Sequence, residues 1–303
     1  MKIGVLLPLN DADGPGGTRW PVIREVALAA EAGGLDSVWA YDHLLFRLAG
    51  EPEGGPHEAM SVLAAVAAVT RTVHLGTIVL GTAFRSPGII ARAAATVDEI
   101  SDGRLTLGLG TGWHEPEYAA FGYPFDHRAG RFEEFLSIAV PLVRGERVTF
   151  HGTWHDAEDA VILPPPPRPA RLPGRMPVLI AAKGERVMRL TARWADAWNV
   201  AWFGLPEDRF FQRRTDLHAA CEAEGRDPAT LDVTVGLVVD GESATGARPL
   251  PPGALPADVD AVASALDAWR DLGVAHVQVD MRPAGLPMVE LVAKAAAKHR
   301  GGS

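Results

Sequence analysis

Short apolar runs of strand length alternate with amphipathic stretches of helix length along most of the chain. Residues 3–9 (IGVLLPL) predict a buried strand. Residues 21–32 predict a helix, with Val22, Val26, Ala29 and Ala30 on one face and Pro21 in its first turn. Gly33-Gly34 stops that helix. Strands follow at 37–40, 73–80 and 105–109, and helices at 58–70, 87–100 and 128–143. The rhythm then breaks. Residues 148–163 read as a hairpin or irregular insertion, and a proline tract follows, Pro164 to Pro167 with Pro169 and Pro173. Such a tract forms neither helix nor central strand, so a surface crossover between two halves of one fold is expected. Strands resume at 177–182, 197–201, 233–239 and 276–280, with helices at 185–194, 209–224, 258–272 and 286–298.

That makes eight strands, each followed by a helix. The strands are continuously apolar, which is the pattern of a parallel sheet covered on its faces. An open doubly wound sheet would share the rhythm, but eight units in 303 residues favour an α/β (β/α)8 TIM barrel with an insertion between strands four and five. The whole chain, 1–303, is expected to form one such unit.

Composition narrows the function classes. A net charge of −9 argues against a nucleic-acid partner, which would require a basic face. The opening MKIGVLLPLN turns acidic too soon for a signal peptide, and no apolar run is long enough to span a membrane. One cysteine, Cys221, rules out an internal disulfide and fits a cytoplasmic setting, where it packs as a small hydrophobe. The rich Ala, Arg, Gly and Pro usage points to a GC-rich bacterial genome.

Barrel chemistry sits where the strands end. The residues there are Asn10, Asp42-His43, Gly81-Thr82 with Phe84-Arg85, the run 110–115 (GTGWHE), Lys183-Gly184-Glu185, Trp202, Asp240 and Asp280 to Arg282. Gly108-x-Gly110-x-Gly112 permits close backbone approach to a ligand, but Trp113 stands where a dinucleotide fingerprint would need glycine. Lys183 to Arg186 opens a helix, where N–H groups and cations make an anion site. His151 and His155 are four apart, yet Gly152 and the hairpin pattern argue against the helix that a metal site would use, and no metal is expected. Trp20, Trp39, Trp194, Trp198 and Trp269 read as core; Trp113 and Trp202, at strand ends, read as pocket.

Four segments carry a family resemblance: AEAGGLDSVWAYDH (30–43), LGTIVLGTAFRSP (75–87), ATVDEISDGRLTLGLGTGWHEPEYAAFG (95–122) and PVLIAAKGERVMRLTARWADAWN (177–199). In this order they resemble the bacterial-luciferase-like superfamily, and most of all its branch that uses the deazaflavin F420. The resemblance implies a cofactor-binding role for Asp42, Ile78, Val79, Gly81, Thr111, Gly112, Ala182, Lys183, Gly184, Glu185 and Arg186. Ile78 and Val79 match a bulge with a non-prolyl cis peptide behind the deazaflavin. His43 matches a histidine that acts as an acid or stabilises the reduced ring, a task suited to imidazole. Asn10, Trp113 and Trp202 are expected in the substrate pocket. Two positions depart from the family pattern. Trp113 replaces the glutamate that serves as proton acceptor in sugar-phosphate dehydrogenases, leaving His114 and Glu115 as the nearest substitutes. Lys183 replaces the first glycine of a Gly-Gly pair.

The expected activity is hydride transfer between F420 and a small organic substrate. An FMN-dependent luciferase-like monooxygenase, served by a partner reductase, is a second reading; a non-catalytic flavin- or F420-binding barrel is a third. The resemblance also implies a homodimer.

Overall fold

The computed structural model describes residues 1–10, 18–48, 50, 53–165, 175–241 and 253–301. Eight parallel strands close into a barrel: β1 (Lys2–Leu6), β2 (Ser37–Ala40), β3 (His74–Thr77), β4 (Leu105–Gly110), β5 (Val178–Ala181), β6 (Ala197–Phe203), β7 (Asp232–Asp240) and β8 (His276–Arg282). Each pairs with the next, and β8 pairs back onto β1 in the register Lys2↔His276 to Val5↔Val279. The helices α1 (Trp20–Ala32), α2 (Ala59–Val69), α3 (Pro87–Ile100), α5 (Arg128–Val143), α6 (Glu185–Trp194), α7 (Asp208–Ala223), α8 (Val259–Asp271) and α9 (Leu286–Gly301) alternate with the strands. A further short helix, α4 (Glu115–Phe121), follows β4; at seven residues it is too short to leave a periodic apolar signal.

Strand apolarity has two destinations. Outward-facing side chains such as Ile3, Val5 and Leu107 pack in a large cluster with the helices. Inward-facing Leu6, Trp39, Ile78, Leu179 and Ala197 form a second cluster inside the barrel. Trp39 fits there because its neighbour is glycine: a Cβ at Gly76 would lie 2.2 Å from the indole. The Trp39 indole N–H donates to Ser37 Oγ at 2.7 Å, and Ser37 Oγ lies 2.7 Å from His276 Nε2. Burial, reinforced by Lys2, His74 and the amino terminus, pushes His276 down to about 3, so it stays neutral in this closed end.

The N-terminal rim is tied off by fixed charges. Arg104 donates to the carbonyls of Ala67, Thr70, Val73 and Ser101. Glu31 Oε1 accepts the N–H groups of Arg71, Thr72 and Val73. The opposite rim is left for chemistry.

The insertion after α5 is an antiparallel hairpin, Val148–His151 with Asp156–Ala160, as its pattern predicts. Its His151 and His155 build no metal cluster among the described residues. Most of the proline tract, residues 166–174, lies outside the described residues. Trp39, Trp198 and Trp269 are buried, but Trp20, at the first position of α1 and off its buried face of Ile23, Val26, Ala27 and Ala30, is exposed. No described helix is long and apolar enough to cross a membrane.

Asp98, 2% exposed on α3, accepts the Leu105 N–H at 3.2 Å. Burial is the main cause that pushes its carboxyl from 3.8 up to about 6, and Glu99 and Asp102 add to it. The folded protein therefore holds a proton that the unfolded chain releases. Stability is lost as pH rises from 3.8 to about 6, by about 3 kcal/mol at most. Asp98→Asn should raise Tm above the wild type at pH about 8, with the gain shrinking as pH falls toward 4. A gain independent of pH, measured by calorimetry, would contradict this.

Candidate active site

The C-terminal rim encloses a cavity of about 450 Å³, within the usual range for organic ligands. It is lined by Asp42, His43, Ile78, Val79, Gly81, Thr111, Gly112, Trp113, Ala182, Lys183, Gly184 and Trp202, among others. The structure thus brings together all but three of the site residues expected from sequence.

Asn10 is the first exception. The sequence pattern carries strand one to residue 9, but β1 ends at Leu6. The chain then leaves the barrel, and Asn10 is buried in a bridge to Pro56, away from the cavity lining. Glu185 and Arg186 are the other two. β5 ends at Ala181, so both already lie on α6 and point to its exposed side; Arg186 pairs with Glu133 at 2.7 Å.

The loop after β3 is held by a buried ion pair. Asp42, 5% exposed, takes a bidentate contact from Arg85 at 2.7 and 2.9 Å and the Gly81 N–H at 2.9 Å. Arg85 also donates to Glu58 at 2.6 Å. These acids raise the guanidinium further above its usual value even though its burial opposes that. Asp42 therefore positions the loop, and its Oδ1, which accepts only one of these bonds, stays on the cavity lining. The peptide between Ile78 and Val79 is cis, and so is that between Ala201 and Trp202; all four residues line the cavity.

On the loop after β4, Gly112 has φ +71°, and a Cβ there would lie 1.8 Å from the Tyr118 hydroxyl, so only glycine fits. Arg128 donates to the Gly112 carbonyl at 2.7 Å and covers the Phe125 ring. Trp113 is 61% exposed beside the opening, edge-on to the His43 ring at 5.6 Å.

Neither of the two residues that follow Trp113 in the chain, His114 and Glu115, lines the cavity. Glu115 is exposed and outside the lining. His114 is buried, and its Nε2 accepts the Arg47 N–H at 3.0 Å. Burial holds the His114 ring below its usual range, in keeping with that acceptor role.

The carboxylate that does reach the site is Glu117, which sequence reasoning missed. It is fully buried on α4, with Oε1 2.9 Å from His43 Nδ1 and Oε2 accepting the Leu44 N–H at 2.7 Å. The available signal was Pro116 beside two acids, a helix-start pattern. Asn199 and Arg282 also line the cavity. Asn199 donates to Thr234 and Gln278 inside the barrel, and Arg282 is paired with Asp280 at 2.7 Å.

At the opposite edge, α6 starts at Gly184 with no side chain capping its N–H groups. Lys183 stands beside that start. Loss of water around its ammonium, then repulsion from Arg209 and Arg213, lowers its proton affinity. Arg213 also donates to the Lys183 carbonyl. Lys183 beside an uncapped helix start suits an anion such as phosphate, whereas Arg209 nearby is already paired with Glu207 at 2.7 Å.

A sequence model of luciferase-like monooxygenases matches residues 1–240. An F420-dependent glucose-6-phosphate dehydrogenase from Beutenbergia cavernae is 39% identical over 174 residues, 56% of this chain and 49% of that protein. One of the same name from Kineococcus radiotolerans is 34% identical over 218 residues, 70% of this chain and 62% of that protein. This chain thus spans 49% and 62% of the length of these curated relatives. Among solved structures, an F420-dependent secondary alcohol dehydrogenase with an F420-acetone adduct superimposes with a TM-score of 0.77, covering 99% of both chains at 17% identity, which speaks for the fold alone. The barrel, the rim that carries its cavity and the match through residue 240 lead to one family: this chain belongs to the luciferase-like monooxygenases.

Proposed function

We propose that this chain is an F420-dependent oxidoreductase that transfers a hydride between the deazaflavin and a small organic substrate, with His43 as proton carrier. One observation carries the reading: a single cavity joins the Ile78–Val79 edge, the cationic start of α6 and the His43 imidazole. The residues present fit the cofactor. Thr111 and Gly112 line the cavity, Ile78 and Val79 would offer a flat ring an apolar face, and Lys183 with the α6 N–H groups would receive phosphate. The F420-dependent names of the two curated relatives support the same choice.

When bound, a deazaflavin supplies or accepts the hydride. The chain's own residues do the rest. His43 delivers a proton to, or takes one from, the substrate atom whose charge changes as the hydride moves. Phe46 and Trp113 flank the imidazole and Trp202 adds aromatic surface to the same cavity, which favours an apolar or aromatic substrate.

Fluorescence titration of the purified chain should give tight F420 binding and weaker FMN binding. Tight FMN binding without F420 binding would overturn the proposal in favour of a flavin monooxygenase supplied by a partner reductase. Lys183→Met should weaken F420 binding about tenfold at low salt, and less at high salt, because salt weakens the attraction between ammonium and phosphate. His43→Ala should keep F420 affinity and lower kcat about a hundredfold or more on any substrate that turns over. Inactivity of the wild type across a substrate panel would favour a barrel that binds F420 without turnover.

A further inference from the structure

We infer that Glu117 is a positioning residue that fixes the His43 proton on Nδ1, so that Nε2 is the nitrogen that exchanges protons in the cavity. The inference rests on the reading of His43 as proton carrier. It draws on the contacts of three consecutive residues of the β2 loop. Glu117 Oε2 takes the Leu44 N–H at 2.7 Å and the Leu45 N–H at 3.4 Å, while Oε1 faces His43 Nδ1 at 2.9 Å. The Glu117 side chain is 1% exposed and that of His43 13%. A buried carboxylate with one oxygen committed to backbone donors can offer the other only as an acceptor. The ring nitrogen opposite it must then carry hydrogen. Among the described residues, His43 Nε2 has no hydrogen-bond partner, and His43 lines the cavity. Phe46, 4.4 Å from the imidazole between centroids, and Trp113, edge-on at 5.6 Å, limit rotation of the ring.

The proton balance follows. In the reducing direction His43 enters with hydrogen on both nitrogens. It gives the Nε2 proton to the substrate atom as the hydride arrives at the neighbouring atom, and leaves neutral with hydrogen on Nδ1. In the oxidising direction Nε2 accepts that proton. Glu117 keeps its negative charge throughout and stabilises the doubly protonated ring.

Glu117→Gln separates this role from simple packing. Leu44 and Leu45 still demand an oxygen, so the glutamine amide turns its NH2 toward Nδ1. That makes Nδ1 the acceptor and moves the proton of the neutral ring to Nε2, where it blocks proton uptake. The test is nitrogen NMR of the full chain labelled with ¹⁵N-histidine, without cofactor, with the His43 signals assigned by their loss in His43→Gln. The wild type should show the neutral ring with hydrogen on Nδ1, and Glu117→Gln should show it on Nε2. The variant should also lose about a hundredfold or more in kcat for substrate oxidation, with KM changed by less than about twofold. A wild-type ring with hydrogen on Nε2 overturns the inference without recourse to any variant, as does an unchanged tautomer in a folded Glu117→Gln. Since the spectrum needs neither cofactor nor substrate, a wild type with the Nδ1 proton but no turnover with F420 would instead remove the hydride-transfer reading.

Discussion

Closure of β8 onto β1 is the constraint on which the rest depends. The register from Lys2↔His276 to Val5↔Val279 leaves no free edge between the first and last barrel strands. With all eight strands parallel, every strand delivers its C-terminal end to one rim. Residues as far apart in sequence as His43, Lys183 and Arg282 meet around one cavity for that reason alone. The closure also sets a cost at the centre, because a small barrel must fill its interior with side chains. Trp39 fills the lower part only because Gly76 gives way to it, and the upper part stays open as the cavity.

The two rims solve opposite problems. At the N-terminal rim, Arg104 and Glu31 spend their charges on backbone groups of the connecting turns, which makes those turns rigid and chemically silent. At the C-terminal rim, some charges are spent in the same way and others are kept. Asp42 is bound by Arg85 and the Gly81 N–H, and so holds the loop that carries Ile78 and Val79. Lys183, at an uncapped helix start on the cavity wall, makes no ion pair among the described residues. Glu117 belongs to both groups, with one oxygen tying down the β2 loop and the other facing the imidazole.

Trp113 places an exposed indole beside the cavity opening and the His43 ring. An indole stands where the family resemblance leads one to expect a carboxylate, and neither adjacent residue restores that function. Glu115 faces solvent, while His114 is buried and committed to the Arg47 N–H. The acid beside His43 comes instead from Glu117, and it approaches the histidine rather than the open cavity.

The sequence by itself determined the strand–helix rhythm, the parallel sheet and the rim on which the chemistry sits. Those follow from local apolar periodicity and from the rule that parallel strands end together. It also identified most of the lining, since His43, Val79, Gly112 and Lys183 are each close to a strand end. Tertiary structure decided what those residues are free to do. Asn10 left the cavity because β1 stops at Leu6, and Arg186 because a surface acid on α5 claims it. Asp42 became a loop anchor because Arg85, 43 residues away, reaches it. Glu117 joined His43 across 74 residues through a short helix that has too few turns to leave a periodic signal. Hydrogen-bond partners are set by which strand ends the barrel brings together, and no local pattern in a sequence records that.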